Sequence, residues 1–315
     1  MKRVCIIGCG SIGSLYAAHL AGVTEVWAFV RRAEHARALN QDGLRVSGTH
    51  ELHARLRATN DPSLLPQFDF GIVASKATQT RNAVAPVAHL FKTGAILSSQ
   101  NGLGSEEVVA EMAQTCVMRG TTFMSGTRVS DTHVRYELDT ATWMGPFEPT
   151  KTPFSLVEEA AALINSSGLK AVALEDARPA QWSKLIFNSS VNAVAALAEL
   201  PHSFHFAEEG QFSDLGHLLH ALIEEGKRVA EGLGVKLYED PWEMNKVGAR
   251  TDHPPSMLYD IRHKLETEVD FLGGAIAREA QRAGIPAPLH TALYRLIKAK
   301  EVSWTYQGNE KAVAK

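Results

Sequence analysis

The chain opens on an unbroken apolar run, Val4-Cys5-Ile6-Ile7, and after a glycine-rich turn spaces Leu15, Ala18, Leu20 and Ala21 at roughly helical intervals. A short continuous apolar run bounded by turn residues reads as a strand buried on both faces, so residues 3 to 7 are taken as the first strand of a sheet, followed by a helix. Strand-like patterns recur at Glu25 to Val30, Phe68 to Ala74 and Ala95 to Ser99, with further strand-rich stretches near Cys116 to Gly145 and at Leu169 to Leu174. From Pro179 to about Lys300 nearly every segment has helical periodicity. Alternating β and α segments followed by a run of helices predict an α/β Rossmann-type N-terminal domain, residues 1–175. An all-α C-terminal domain, residues 176–315, follows, with the active site expected in the cleft between the two.

One helical segment breaks the hydrophobic pattern. Within Trp182-Ser-Lys-Leu-Ile-Phe-Asn-Ser-Ser-Val-Asn192, residues Lys184, Asn188 and Asn192 fall at intervals of four. Residues four apart share one helical face, so an amine and two amides converge while Leu185, Phe187 and Val191 face elsewhere. An unpaired buried polar group costs about 1–3 kcal/mol, so these side chains need partners. Either they hold a small polar ligand, or they cap neighbouring backbone or face solvent.

Composition narrows the classes of function. The 315 residues are 45% hydrophobic and 21% charged, enough to bury a sizeable core in two domains. The net charge of −3 leaves no global excess to hold nucleic acid or an anionic membrane. Cys5, Cys9 and Cys116 are an odd number without zinc-type spacing, which argues against a disulfide framework and a metal site and points to a reducing cytoplasm. The opening Met-Lys-Arg and apolar run faintly imitate a signal peptide, but glycines at 8, 10 and 13 interrupt it and no later segment is expected to span a membrane.

The turn after the first strand reads Gly8-Cys9-Gly10-Ser11-Ile12-Gly13. In a strand, turn and helix of this kind the first glycine permits the turn and the second lets backbone approach a pyrophosphate. The third lets the helix lie close to the sheet, and the helix N-terminus offers unpaired N–H groups. Dinucleotide binding is therefore expected. The second strand ends in Arg31-Arg32, where an NAD enzyme usually places an acid for the ribose 2′-hydroxyl. A guanidinium suits a 2′-phosphate instead, which favours NADP(H); the alternative is a pair of surface arginines. Lys76 and Asn101 follow later strands, where an open parallel sheet forms its ligand crevice.

A second stripe, Ser256, Asp260, Lys264 and Glu268, again has spacing four. By spacing alone it reads as a solvated face with i,i+4 ion pairs, worth roughly 0.2–0.5 kcal/mol each.

Together these segments resemble the ketopantoate reductase family (2-dehydropantoate 2-reductases) from residue 3 to about residue 301. The resemblance rests on the glycine loop at 8 to 13, the Lys76 loop, Gln100-Asn101-Gly102, the Trp182-to-Asn192 helix, and Ser256-Met257-Leu258-Tyr259-Asp260 with Glu268 beyond. Gly284-Ile285-Pro286-Ala287-Pro288 and Leu293 to Lys298 also resemble the family's last helix. The resemblance implies NADPH-dependent reduction of ketopantoate to pantoate on the route to pantothenate and coenzyme A. It places the catalytic general acid on Lys184, with Glu268 keeping that lysine protonated and bonding to cofactor or substrate. Asn188, Asn192, Asn101 and Ser256 would hold the substrate, with Asp260 as support behind them. Gly8, Cys9, Gly10, Ser11, Ile12, Gly13, Arg31, Lys76 and Asn101 would seat the cofactor. The partners expected are a small 2-oxo acid and, at most, a second copy of the chain in a homodimer.

Four positions depart from the family's pattern: Asn192-Ala193 where asparagine-proline is common, Pro201-His202, His253-Pro254-Pro255 ahead of Ser256, and His263-Lys264 in place of Ala-Gly. Lys264 either pairs with Asp260 and Glu268 or lowers the pKa of Lys184 by like-charge repulsion. The departures leave open a sister reductase acting on another 2-oxo acid or an imine. A non-catalytic NADPH-binding sensor is the remaining alternative; it would need only the glycine loop and Arg31.

Overall fold

The computed structural model describes residues 3–201, 213–248 and 255–306. His202, His253, Pro254 and the polar stretch from Gln307 to Lys315 lie outside them. The chain forms two compact units, Met1–Gln181 and Trp182–Lys315.

The first unit runs β1 (Arg3–Ile7), α1 (Ser11–Leu20), β2 (Glu25–Phe29), α2 (Ala33–Asp42), β3 (Leu44–Gly48), β4 (Leu52–Ala54), β5 (Arg57–Thr59) and β6 (Phe70–Val73). It continues through α3 (Thr80–Val84), β7 (Ala95–Ser98), α4 (Ser105–Ala113), β8 (Cys116–Thr122), β9 (Ser125–Ser130), β10 (His133–Leu138), β11 (Thr142–Pro146), α5 (Phe154–Ser166) and β12 (Ala171–Ala173). The main sheet has the order β12-β11-β8-β7-β6-β1-β2-β5. All neighbours are parallel except β11, which runs antiparallel to β8. The sheet is thus the Rossmann-type arrangement anticipated from the alternating pattern.

The opening apolar run is explained by this position. Val4 and Ile6 enter one core, shared with Leu15 of α1 and Leu39 of α2. Cys5 and Ile7 enter the other, shared with Phe91 and Val109. Alternate side chains of a strand point to opposite faces, so a central strand covered on both has no polar position to spare. The chain order reverses at β1, with β2 and β5 on one side and β6 and β7 on the other. The carboxyl ends of β1, β6 and β7 therefore open onto one crevice of the first unit.

A second sheet, β4-β3-β10-β9, is built from two insertions, one between α2 and β5 and the other between β8 and β11. Its strand β9 lies on α1, with a Cβ built on Gly126 coming 3.3 Å from Leu15 Cδ1.

The second unit is helical. Its elements are α6 (Arg178–Ala198), α7 (Asp214–Gly232), α8 (Pro241–Gly248), α9 (Ser256–Arg262), α10 (Gly273–Ala283) and α11 (Pro288–Ser303). Helix α6 begins in the first unit, with Pro179 in its first turn, where the missing N–H costs nothing. From Gln181 to Ala196 every residue is buried except the half-buried Asn188. Buried hydroxyls on such a helix need internal partners, and Ser189 and Ser190 donate back to the carbonyl of Ile186 at 3.2 and 2.8 Å. Ser183 accepts from the amides of Tyr238 and Glu239 at 3.0 and 3.1 Å and donates to the Glu239 carbonyl at 2.8 Å, fixing the loop ahead of α8 to α6. Helix α7 crosses α6 closely, since a Cβ on Gly226 would lie 2.7 Å from Ile186. The buried Glu225 carboxylate accepts from the Leu289 and His290 amides at 3.0 and 2.8 Å, capping the start of α11.

Candidate active site

In the first unit the glycine turn has the shape that a pyrophosphate needs. Gly8 has φ +92°, a left-handed conformation that favours glycine, and a Cβ there would meet the Ser75 backbone at 2.8 Å. A Cβ on Gly13 would come 2.0 Å from the carbonyl oxygen of Gly8, so only glycine lets α1 start this close to the turn. Gly10 is different: a Cβ there meets no protein atom within 4 Å. Helix α1 has neither a side-chain cap nor an acid in its first turn, leaving its N–H groups for an anion. Cys9 is buried, its thiol 3.4 Å from the Ser14 hydroxyl, while Ser11 and Ile12 are half-buried. These features fit a dinucleotide pyrophosphate on the turn.

The Lys76 and Asn101 loops, after β6 and β7, are locked together by a side chain that spacing alone does not single out. The buried Gln100 amide donates to the Ser75 carbonyl at 3.0 Å and to the Thr80 hydroxyl at 2.7 Å, and its oxygen accepts from Ser98 at 3.1 Å. Lys76 is exposed and Asn101 half-buried. Behind Asn101, Gly102 has φ +89° and its carbonyl accepts from the Gln181 amide at 3.0 Å. Gln181 also donates to Glu106 at 2.9 Å and accepts from Arg119 at 3.1 Å. This buried network holds the loop through α4, β8 and the first turn of α6. Its one sequence signal is the acidic Glu106 in the first turn of a helix.

The two arginines after β2 part company. Arg32 donates to Asp131 at 2.5 Å. Arg31 is exposed, with no ion pair or side-chain hydrogen bond among the described residues, and is available to an anion.

In the second unit, Lys184 is buried on α6 with 8% of its surface exposed. Burial disfavours the ammonium and pushes its pKa down to about 8, against the opposing pull of the Glu268 carboxylate. The two residues are therefore electrostatically coupled. Asn192 donates to the Asn188 carbonyl at 3.0 Å, with the Asn188 side-chain oxygen at 3.4 Å. Its own oxygen accepts from the Met257 amide at 3.1 Å and the Ser256 hydroxyl at 3.3 Å. The polar stripe of α6 thus meets the start of α9, and Asn192 caps neighbouring backbone, the plainer of its two expected uses. Ser256 is exposed and Asp260 is buried.

The second stripe is corrected by the structure. Helix α9 ends at Arg262, and Lys264 has φ +53°. The Leu265 amide bonds back to the Asp260 carbonyl at 2.9 Å and the Lys264 amide to that of Ile261 at 3.1 Å. This is a Schellman closure with Lys264 at the left-handed position, so Lys264 and Glu268 do not sit one helical turn apart. Lys264 is exposed and its side chain makes no ion pair among the described residues, so the expected pairing with Asp260 and Glu268 is absent. It is also not among the charges acting on Lys184.

Among the described residues no helix is long and apolar enough to cross a membrane, and no group of three or more His, Cys, Asp or Glu residues could hold a metal ion.

The Ketopantoate reductase PanE/ApbA family model matches residues 4–149, and its C-terminal counterpart matches residues 176–301. The chain belongs to the ketopantoate reductase family. This reductase is 30% identical over 305 residues to 2-dehydropantoate 2-reductase of Pyrococcus horikoshii, covering 95% of this chain and 97% of that one. A 2-dehydropantoate 2-reductase of Halobacterium salinarum is 30% identical over 304 residues, covering 94% and 98%. Among solved structures, the PanE/ApbA family ketopantoate reductase from Ralstonia eutropha superposes with a TM-score of 0.84 at 25% identity, covering 97% of this chain and all (100%) of that one. D-mandelate dehydrogenase, solved with NADH and anilino(oxo)acetate, shares the fold at TM-score 0.85 and 22% identity, covering 97% and 100%. The reductase is accordingly an oxidoreductase acting on a CH–OH group with a pyridine nucleotide.

Proposed function

We propose that the enzyme reduces ketopantoate to pantoate with NADPH, using Lys184 as general acid. The observation that carries this reading is a buried ammonium whose pKa is lowered to about 8 by burial and supported by Glu268. An acid is most effective when its pKa lies near the working pH, because it is then protonated yet readily gives up its proton. When bound, the reduced nicotinamide supplies hydride to the carbonyl carbon. Lys184 stabilises the developing alkoxide and donates a proton to that oxygen from Nζ. Glu268 keeps the ammonium charged in its buried setting. Asn188 and Ser256 orient the polar groups of the acid, with Asn192 setting where Ser256 stands, and Asn101 and Lys76 serve cofactor and substrate. Arg31, exposed and without an ion pair among the described residues, supports the choice of NADPH over NADH. A site in the cytoplasm and a homodimer belong to the same reading; the Staphylococcus aureus ketopantoate reductase is dimeric.

A second reading, a sister reductase for another 2-oxo acid, is favoured by Ala193, which stands beside Asn192 where the family commonly has proline. D-mandelate dehydrogenase shares this fold. A pure NADPH sensor has no use for a lysine whose pKa burial lowers to about 8 while a carboxylate keeps it charged. Following NADPH oxidation with ketopantoate, ketoisovalerate, pyruvate and other 2-oxo acids, with Lys184→Ala as control, separates the three. Turnover on ketopantoate that is lost in the control supports the first. Turnover on another acid alone selects the second, and tight NADPH binding without turnover selects the sensor.

A further inference from the structure

The inserted sheet brings a third arginine to the end of β2 that no part of the reading above uses. Arg128 lies on β9 two residues after Gly126, so its side chain leaves the strand on the face that rests on α1. Its Nη1 is 3.8 Å from Asp131 Oδ1, the same oxygen that accepts from Arg32 Nη2 at 2.5 Å. Asp131 sits in the turn between β9 and β10, and its charge acts on His35 in the first turn of α2. The turn is therefore fastened to the junction between β2 and α2. The Arg128 charge acts on both His35 and Cys9 of the glycine turn.

We infer that Arg128 is a second phosphate-binding arginine for the adenosine end of the cofactor, completing the site that Arg31 opens, with Asp131 as the carboxylate that aims it. The inference rests on the NADPH reading. Arg32 and Arg128 share the single carboxylate of Asp131, and Arg31 stands next to Arg32 after β2 without an ion pair among the described residues, leaving a positive excess at the end of β2. A phosphate monoester carries about −1.5 to −2 charge at neutral pH and matches that excess. Arg32 is engaged with Asp131 at short range and serves as the tether. Arg128, at 3.8 Å, is held loosely and can turn its fork to a phosphate between the glycine turn and Arg31 without leaving the carboxylate unpaired. The inserted sheet then has a function of its own: it closes over the nucleotide from the α1 side and delivers a cation that the β2 sequence does not contain.

The test is binding of 2′,5′-ADP and of 5′-ADP to wild type, Arg31→Ala, Arg128→Ala and Arg128→Lys, together with the ratio of kcat/KM for NADPH and NADH. Arg128→Ala is expected to weaken 2′,5′-ADP about tenfold, with 5′-ADP unchanged, and to lower the NADPH/NADH ratio by the same factor. Arg128→Lys should recover part of the loss. The inference is overturned if Arg128→Ala binds 2′,5′-ADP like wild type while Arg31→Ala loses it, or if Arg128→Ala loses both nucleotides equally. Failure of the NADPH reading looks different: wild type itself would then bind the two nucleotides alike.

Discussion

Asn192 of α6 caps α9: its side-chain oxygen accepts from the Met257 amide at 3.1 Å, and the same oxygen takes the Ser256 hydroxyl at 3.3 Å. One side chain of the polar stripe therefore sets where Ser256 stands. Its nitrogen is bound to the Asn188 carbonyl at 3.0 Å, so the amide is used at both ends. Asn192→Ala leaves a buried amide without an acceptor and should cost about 1–3 kcal/mol of stability. Thermal unfolding checks the loss, and a melting temperature equal to wild type would show that the cap is not what Asn192 contributes.

The glycine turn separates two kinds of glycine. Gly13 is required by the protein, because an added Cβ would lie 2.0 Å from the Gly8 carbonyl oxygen; Gly10 is not, because its Cβ would meet nothing within 4 Å. Gly13→Ala should lower the melting temperature and weaken nucleotide binding together. Gly10→Ala should melt like wild type yet bind NADPH at least tenfold more weakly, since the methyl occupies the approach of the pyrophosphate. Calorimetry of both properties decides, and wild-type affinity in Gly10→Ala would contradict the placement of the pyrophosphate on this turn.

Lys264 has a simpler role than the sequence suggests. It occupies the left-handed position that closes α9, with φ +53°, where the family pattern carries glycine. A residue with a Cβ is strained there by about 1–2 kcal/mol, partly offset by the greater freedom of glycine in the unfolded chain. Lys264→Gly should therefore raise stability by roughly 0.5–1 kcal/mol and leave the pH dependence of turnover unchanged. A denaturant midpoint below wild type would refute this.

That residue also shows where the sequence stops being legible. The first strand, the glycine turn and the sheet around them could be read because each depends on short local patterns: a doubly buried strand has no polar position, and close backbone contacts admit only glycine. The stripe from Ser256 to Glu268 could not, because the interval of four persists in the sequence after the backbone has left the helix at Arg262. The pair of sheets was only partly visible. The stretch from Cys116 to Gly145 reads as strands, but nothing local says that β9 and β10 leave the main sheet to join β3 and β4. Nor do spacings reveal Gln100 or Gln181, whose importance lies in contacts with residues far along the chain. The coupling of Lys184 to Glu268 was implied by family resemblance, whereas the depth of burial that sets the acid's pKa is a property of the folded helix.

The pH dependence of kcat/KM for ketopantoate reduction, measured for wild type and Glu268→Gln, tests the account at its centre. The reaction needs Lys184 protonated, so activity should be level below the pKa of about 8 and fall tenfold per pH unit above it. Glu268 raises that pKa against burial, so removing its charge should lower it and move the falling limb to lower pH. A limb that stays in place in Glu268→Gln, or that persists in the residual activity of Lys184→Ala, would contradict the assignment of Lys184 as the acid.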